Sequence, residues 1–195
     1  FFSLHMALLA YVNSSMLGVF ASPNLISATY VLASILSLIL VTIAPQIIRA
    51  IGNVKYVVLS LLGSATLLYL ISTHSDSKII PLFIAYFSLN SVIMYGLDLF
   101  LEHYSSESQT GNIRGLYLTL GNVGWVIAPL ISGTLQTNFG FPVIYLVASI
   151  SVAITLLIVF FSQRGFVDKE YPRSHMIDGL RALLRNKDLR KIAFL

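Results

Sequence analysis

Residues 112–135 read NIRGLYLTLGNVGWVIAPLISGTL. At 1.5 Å per residue, a run of about 20 predominantly apolar residues crosses the hydrocarbon core as a helix, and this one is long enough. It nonetheless carries Gly115, Gly121, Gly124, Gly133 and Pro129. Gly124, Ala128 and Ser132 recur at four-residue spacing, and Gly121 lies one turn earlier on nearly the same face. Such a stripe of small residues lets a second helix backbone come close. Pro129 frees the carbonyl of Trp125, which a membrane helix tolerates where a neighbour or a water-filled cavity satisfies it. The expectation is a helix-packing segment built on Gly121, Gly124, Ala128, Pro129, Ser132 and Gly133, serving either as a static seam or as a face that slides.

The rest of the chain supports a membrane reading of that stretch. Of its 195 residues 56% are hydrophobic and 10% charged, and the mean hydropathy is +0.84. Soluble domains are not built this way. Six apolar runs stand out, at 1–20, 26–47, 55–73, 79–101, 113–135 and 141–162, and because they are continuous rather than alternating they predict helices, not barrel strands. The fold expected is an all-α polytopic membrane protein with a six-helix bundle over 1–162. There is no cysteine, hence no disulfide or thiolate metal site, and no cleavable signal is visible.

Lys and Arg set the orientation, since cytoplasmic loops hold their excess. With a cytoplasmic N-terminus, that side holds Arg49, Lys55, Arg114, Arg164, Lys169, Arg173, Arg181, Arg185, Lys187, Arg190 and Lys191, and the opposite side holds Lys78 alone. Both ends are expected to be cytoplasmic, in the cell (inner) membrane. The net charge of +4 follows from this asymmetry, so no nucleic-acid partner is needed to explain it.

Beyond the sixth run the composition changes. RGFVDKEYPRSHMIDGLRALLRNKDLRKIAFL, residues 164–195, opens as a charged linker. After Pro172, with Ser174 as N-cap, it sets Met176, Ile177, Leu180, Leu183 and Leu184 on one helical face. Residues 163–191 therefore predict a cytoplasmic loop with an amphipathic helix, its apolar face on lipid or on protein. Residues 192–195 predict the start of a seventh span. With Phe1 in first place, the chain reads as a fragment of something longer.

Six spans, cytoplasmic ends, a basic amphipathic linker and the start of a seventh span resemble the N-terminal half of a major facilitator superfamily transporter with its central loop. The loop after the second run, PQIIRAIGNVK (45–55), is similar to a Gly-x-x-x-Asp-Arg-x-Gly-Arg-Lys type motif: Gly52 matches its second glycine and Lys55 keeps positive charge beyond it. Pro45 stands at the first glycine and Arg49 replaces the acid, while Ala50, Asn53 and Val54 lack the expected charges. RGLYLTLGNVGWVIAPLISGTL resembles the fifth helix of many bacterial members, with Arg114-Gly115 at its start. It lacks the Gly-Pro-x-x-Gly-Gly pattern of drug and proton antiporters. The resemblance implies two three-helix repeats of inverted topology, with the first and fourth spans lining a central path, the second and fifth flanking it, and the third and sixth supporting it. NSSMLG (13–18) and NSVIMYG (90–96) echo that repeat.

Asn13, Asn90 and Asn122 fall near mid-depth on the first, fourth and fifth spans, with Tyr11, Tyr95, Tyr117 and Trp125 close by in sequence. These seven residues are the substrate-path candidates, suited to a small polar solute; the alternative for each amide is a bond to a neighbouring helix. No Asp, Glu, Lys or Arg sits at mid-span, where a proton relay would need one. His5 is read either as a proton carrier or as a neutral ring bonded to a carbonyl. Asp98 and Glu102, four apart, share a helix face at the cytoplasmic rim. With Arg49, Gly52, Lys55 and Arg114 they are candidates for the family's cytoplasmic latch, or else solvated rim charges.

Asp98, Glu102, His103 and Glu107 raise a metal-dependent enzyme as a rival, but His103 is turned about 100° from Glu102 on a helix and no second His-rich cluster exists. A non-transporting receptor or scaffold is the third reading. No Gly-x-x-x-x-Gly-Lys motif is present. The reading adopted is a secondary transporter, not an enzyme, moving a small solute by alternating access. It expects no cofactor or metal. Its partners would be the solute, a coupling ion if one is used, the bilayer and the C-terminal half of the same transporter.

Overall fold

The computed structural model describes residues 2–104, 110–168 and 185. The expected amphipathic helix, the start of a seventh span and Glu107 lie outside the described residues, as does the side chain of Arg114. Seven helices appear among the described residues: α1 Phe2–Ala10, α2 Asn13–Leu17, α3 Pro23–Ile51, α4 Asn53–Thr73, α5 Ile79–Tyr104, α6 Thr110–Phe139 and α7 Phe141–Ser162. Five, from α3 to α7, are long and apolar enough to cross a membrane, α6 through its part Gly115–Phe139.

The first expected span differs from a continuous helix over 1–20, because α1 and α2 are separate. Val12 takes φ −114° and ψ −16°, and its N–H bonds to the Leu9 carbonyl at 3.0 Å, a tighter turn than the α-helical one. Asn13, Ser14 and Ser15 follow at once, and their side chains compete with the backbone for hydrogen bonds. At the next helix start the sequence rules operate cleanly: Ser22 Oγ accepts from Leu25 N–H at 3.4 Å and Pro23 occupies the first turn.

An internal repeat governs the arrangement. α3 (29 residues) is joined to α4 (21 residues) through Gly52 alone, and α6 (30 residues) to α7 (22 residues) through Gly140 alone. Gly52 at φ 85° and Gly140 at φ 75° are the positive-φ residues among those described, a conformation that costs glycine nothing and lets a chain reverse in one step. Three helices separate the two glycines, so these turns lie at opposite ends of the bundle. Packing repeats as well: α3 lies on α5 as α6 lies on α1, and α4 on α5 as α7 on α1, while α4 and α7 pair with each other most extensively.

Polar side chains hold these contacts. Ser88 Oγ on α5 donates to the Ala33 carbonyl of α3 (3.0 Å), and Ser149 Oγ on α7 to that of Ala65 on α4 (2.8 Å). Asn53 Nδ2 on α4 donates to the Gly96 carbonyl of α5 (2.9 Å), and Tyr145 OH on α7 to Asn13 Oδ1 on α2 (2.7 Å). In a membrane each bond contributes about 0.6 kcal/mol on average, because lipid offers no competing partner but the separated helices find others. On exposed faces hydroxyls bond back to their own helix, as Thr119 does to Gly115 (2.8 Å) and Thr134 to Leu130 (2.8 Å), which hides them from an apolar surrounding. The core is closed by large buried side chains, among them Phe83, Tyr86, Leu61 and Tyr145.

Candidate functional site

α3 and α6 are the least buried of the five long helices. Against the inner side of α6 lies a cleft of about 400 Å³, walled by Phe2, Ser3 and Leu4 of α1, Leu97 of α5, and Tyr117, Leu120, Gly121, Val123, Gly124 and Ile127 of α6. Its wall is apolar apart from the Ser3 hydroxyl and the Tyr117 phenol. The small residues of α6 make it possible. A Cβ on Gly124 would stand 3.3 Å from the backbone nitrogen and Cα of Leu4, and one on Gly121 would stand 3.3 Å from Ser3 Oγ. Further along, Ala128 is fully buried against Ala7 and Leu8, and Ser132 is buried with its hydroxyl bonded to the Ala128 carbonyl (2.7 Å). The stripe thus faces α1. Pro129 and Gly133 are exposed, and Gly133 has open space where a side chain would stand.

The seven path candidates do not gather in one place. Tyr117 lines the cleft. Tyr11 and Trp125 meet edge to face at 6.4 Å and are both exposed. Asn13 is buried, engaged by Tyr145. Asn90 is also buried, its Oδ1 without a partner, close to the rings of His5 and Tyr86. The His5 ring is fully buried against Phe2 (4.6 Å) and Tyr86 (6.2 Å). Asn122 is exposed on α6, and Tyr95 is half-buried on α5. Asn13 thus bonds a neighbouring helix, and besides Tyr117, Gly121 and Gly124 the cleft takes its walls from residues the sequence did not single out. Phe2, Ser3, Leu4 and Leu97 sit inside uniform apolar runs, where no periodicity marks one position from the next.

One end of the bundle is basic: Arg49 and Lys55 are exposed beside the Gly52 turn, and the Arg164 guanidinium lies over the ring of Phe161 (4.6 Å). Lys78 is at the other end, paired with Asp76 (3.5 Å). Asp98 and Glu102 are exposed near the basic end of α5, and Asp98 is within electrostatic reach of Tyr117. Among the described residues no ion pair joins either carboxylate to Arg49 or Lys55. The acid that does reach the Gly52 turn is Asp168, whose Oδ1 accepts from Asn53 N–H at 3.0 Å. Among the described residues no three His, Asp or Glu side chains gather as metal ligands would.

A family model described as Major Facilitator Superfamily matches residues 1–195. No curated protein and no solved structure matches the chain.

Proposed function

The chain belongs to the major facilitator superfamily and is a membrane transporter, and from that premise we propose that it carries a small solute by alternating access along the cleft between α1, α5 and α6. The cleft is the observation that carries this reading, because it is the open space into which first-, fourth- and fifth-span residues project together. Its apolar walls with one hydroxyl and one phenol suit a solute with an apolar body and a hydrogen-bonding group. This is a less polar guest than a ring of asparagines would select. The C-terminal half of the transporter supplies the facing wall, and the exposed sides of α3 and α6 are where it and the lipid divide the surface. The end bearing Arg49, Lys55 and Arg164 is the cytoplasmic one.

Filling the cleft tests the proposal. In the full-length transporter Leu97→Trp is expected to lower uptake by on the order of tenfold, equivalent to about 1.4 kcal/mol, while the melting temperature stays near that of the parent. Uptake unchanged by Trp at this position would remove the cleft from the path.

A further inference from the structure

The six residues after α7 lie against the bundle at three points. Tyr104 OH at the end of α5 donates to Gln163 Oε1 (2.8 Å). The Phe166 ring packs on Phe100 (4.9 Å), His103 (4.4 Å) and Tyr104 (6.0 Å). Asp168 Oδ1 then accepts from Asn53 N–H (3.0 Å), the first residue of α4. At that turn Gly52 holds φ 85°, and a Cβ there would stand 2.5 Å from Asp168 Oδ2. The turn and the carboxylate are thus fitted to each other. Unpaired N–H groups at a helix start favour an anion, and Asn53 uses its other donor, Nδ2, to bind Gly96 of α5. One residue therefore joins the strap, α4 and α5.

We infer that Asp168 is a positioning residue: through residues 163–168 it fixes the α3–α4 turn and fastens the chain leaving the last span to this half, so that the strap moves with the bundle as one body. The connection to whatever follows starts from the head of α4, not from the end of α7. The inference rests on contacts within this half and does not depend on where the solute binds.

Hydrogen exchange of the full-length protein in lipid nanodiscs tests it. Asp168→Ala should speed exchange both in 163–168 and at Asn53 and Val54 by about tenfold or more, because local opening no longer has to break the Asp168 contact. Asp168→Asn, which keeps an acceptor oxygen, should fall between. Amides of the α7 interior, such as Val152, should stay protected and report that the variants are folded. If the α3–α4 turn exchanges as slowly in Asp168→Ala as in the parent, the carboxylate does not position it and the inference fails. A second arm tests the motion. With Tyr104→Cys and Gln163→Cys bridged by a short reducible bis-thiosulfonate, hydrogen exchange in the interiors of α4 and α6 should match that of the reduced protein. Slower exchange there in the bridged form, restored by reduction, would mean that the strap must detach as the bundle moves and would overturn the inference.

Discussion

Gly124→Leu is expected to push α6 away from α1 and leave little folded protein. The Cβ alone would lie 3.3 Å from the backbone nitrogen and Cα of Leu4, atoms that cannot rotate aside, so the remaining carbons must displace a helix. Overpacking of this kind costs about 1–3 kcal/mol per site, and α6, the least buried long helix, has few other contacts to hold it. A graded series separates this from a general intolerance of larger side chains. Gly121→Ala meets the Ser3 hydroxyl, a side-chain atom that can turn away, and should cost little; Gly133→Leu enters open space and should cost nothing measurable. Uptake normalised to folded protein across Gly, Ala, Ser and Leu at position 124 then tells whether the face also moves: a flat normalised rate means a static seam, a changing one means that one conformation is disfavoured more than another.

The second large effect is expected at the joint between the two repeats. A Cβ on Gly96 would overlap Val57 Cγ2 and lie 3.2 Å from both Asn53 Oδ1 and Tyr56 Cδ1. Gly96→Val therefore overpacks α4 against α5, at about 1–3 kcal/mol. It also threatens the bond from Asn53 Nδ2 to the Gly96 carbonyl, and a buried donor left unpaired costs about 1–3 kcal/mol more. The variant should fail to accumulate as folded protein. The milder Gly96→Ala should be destabilising in the parent and less so in a Val57→Ala background, because that change removes the atom the new methyl meets; the same loss of melting temperature from Gly96→Ala in both backgrounds would show that the contact is not the cause.

Much of the fold is visible in the chain because membranes impose length and apolarity. Five of the six apolar runs are single helices, and the two sharpest reversals fall on glycines that stand between long runs. The first run hid its interruption at Tyr11 and Val12, since hydropathy is blind to a backbone turn and the polar Asn13-Ser14-Ser15 sequence was its only local trace. The spacing of Gly121, Gly124, Ala128 and Ser132 defines a face, but which helix lies against it depends on contacts more than a hundred residues away. Asn13 shows the same limit: depth placed it near the path, and the partner that engages it, Tyr145, lies 132 positions along. An acid does reach the turn at Gly52, but it is Asp168, 115 positions beyond Asn53. Gly96 was the readable signal left unused, since a glycine inside an apolar helix marks a close approach.

The chain has no cysteine, so once any thiol outside residues 1–195 is replaced, a single introduced thiol reports its own position. Ile127 lines the cleft near the middle of α6, while Leu62 is an exposed residue of α4 outside it. The most direct test of alternating access is to label Ile127→Cys and Leu62→Cys, each in the full-length protein in oriented vesicles, with a small membrane-impermeant thiol reagent added to one side at a time. Transport along this cleft predicts that the thiol at 127 reacts from the side of Lys55 and also from the side of Lys78, and that the thiol at 62 reacts from neither. Reaction at 127 from only one side, or from none, would contradict it.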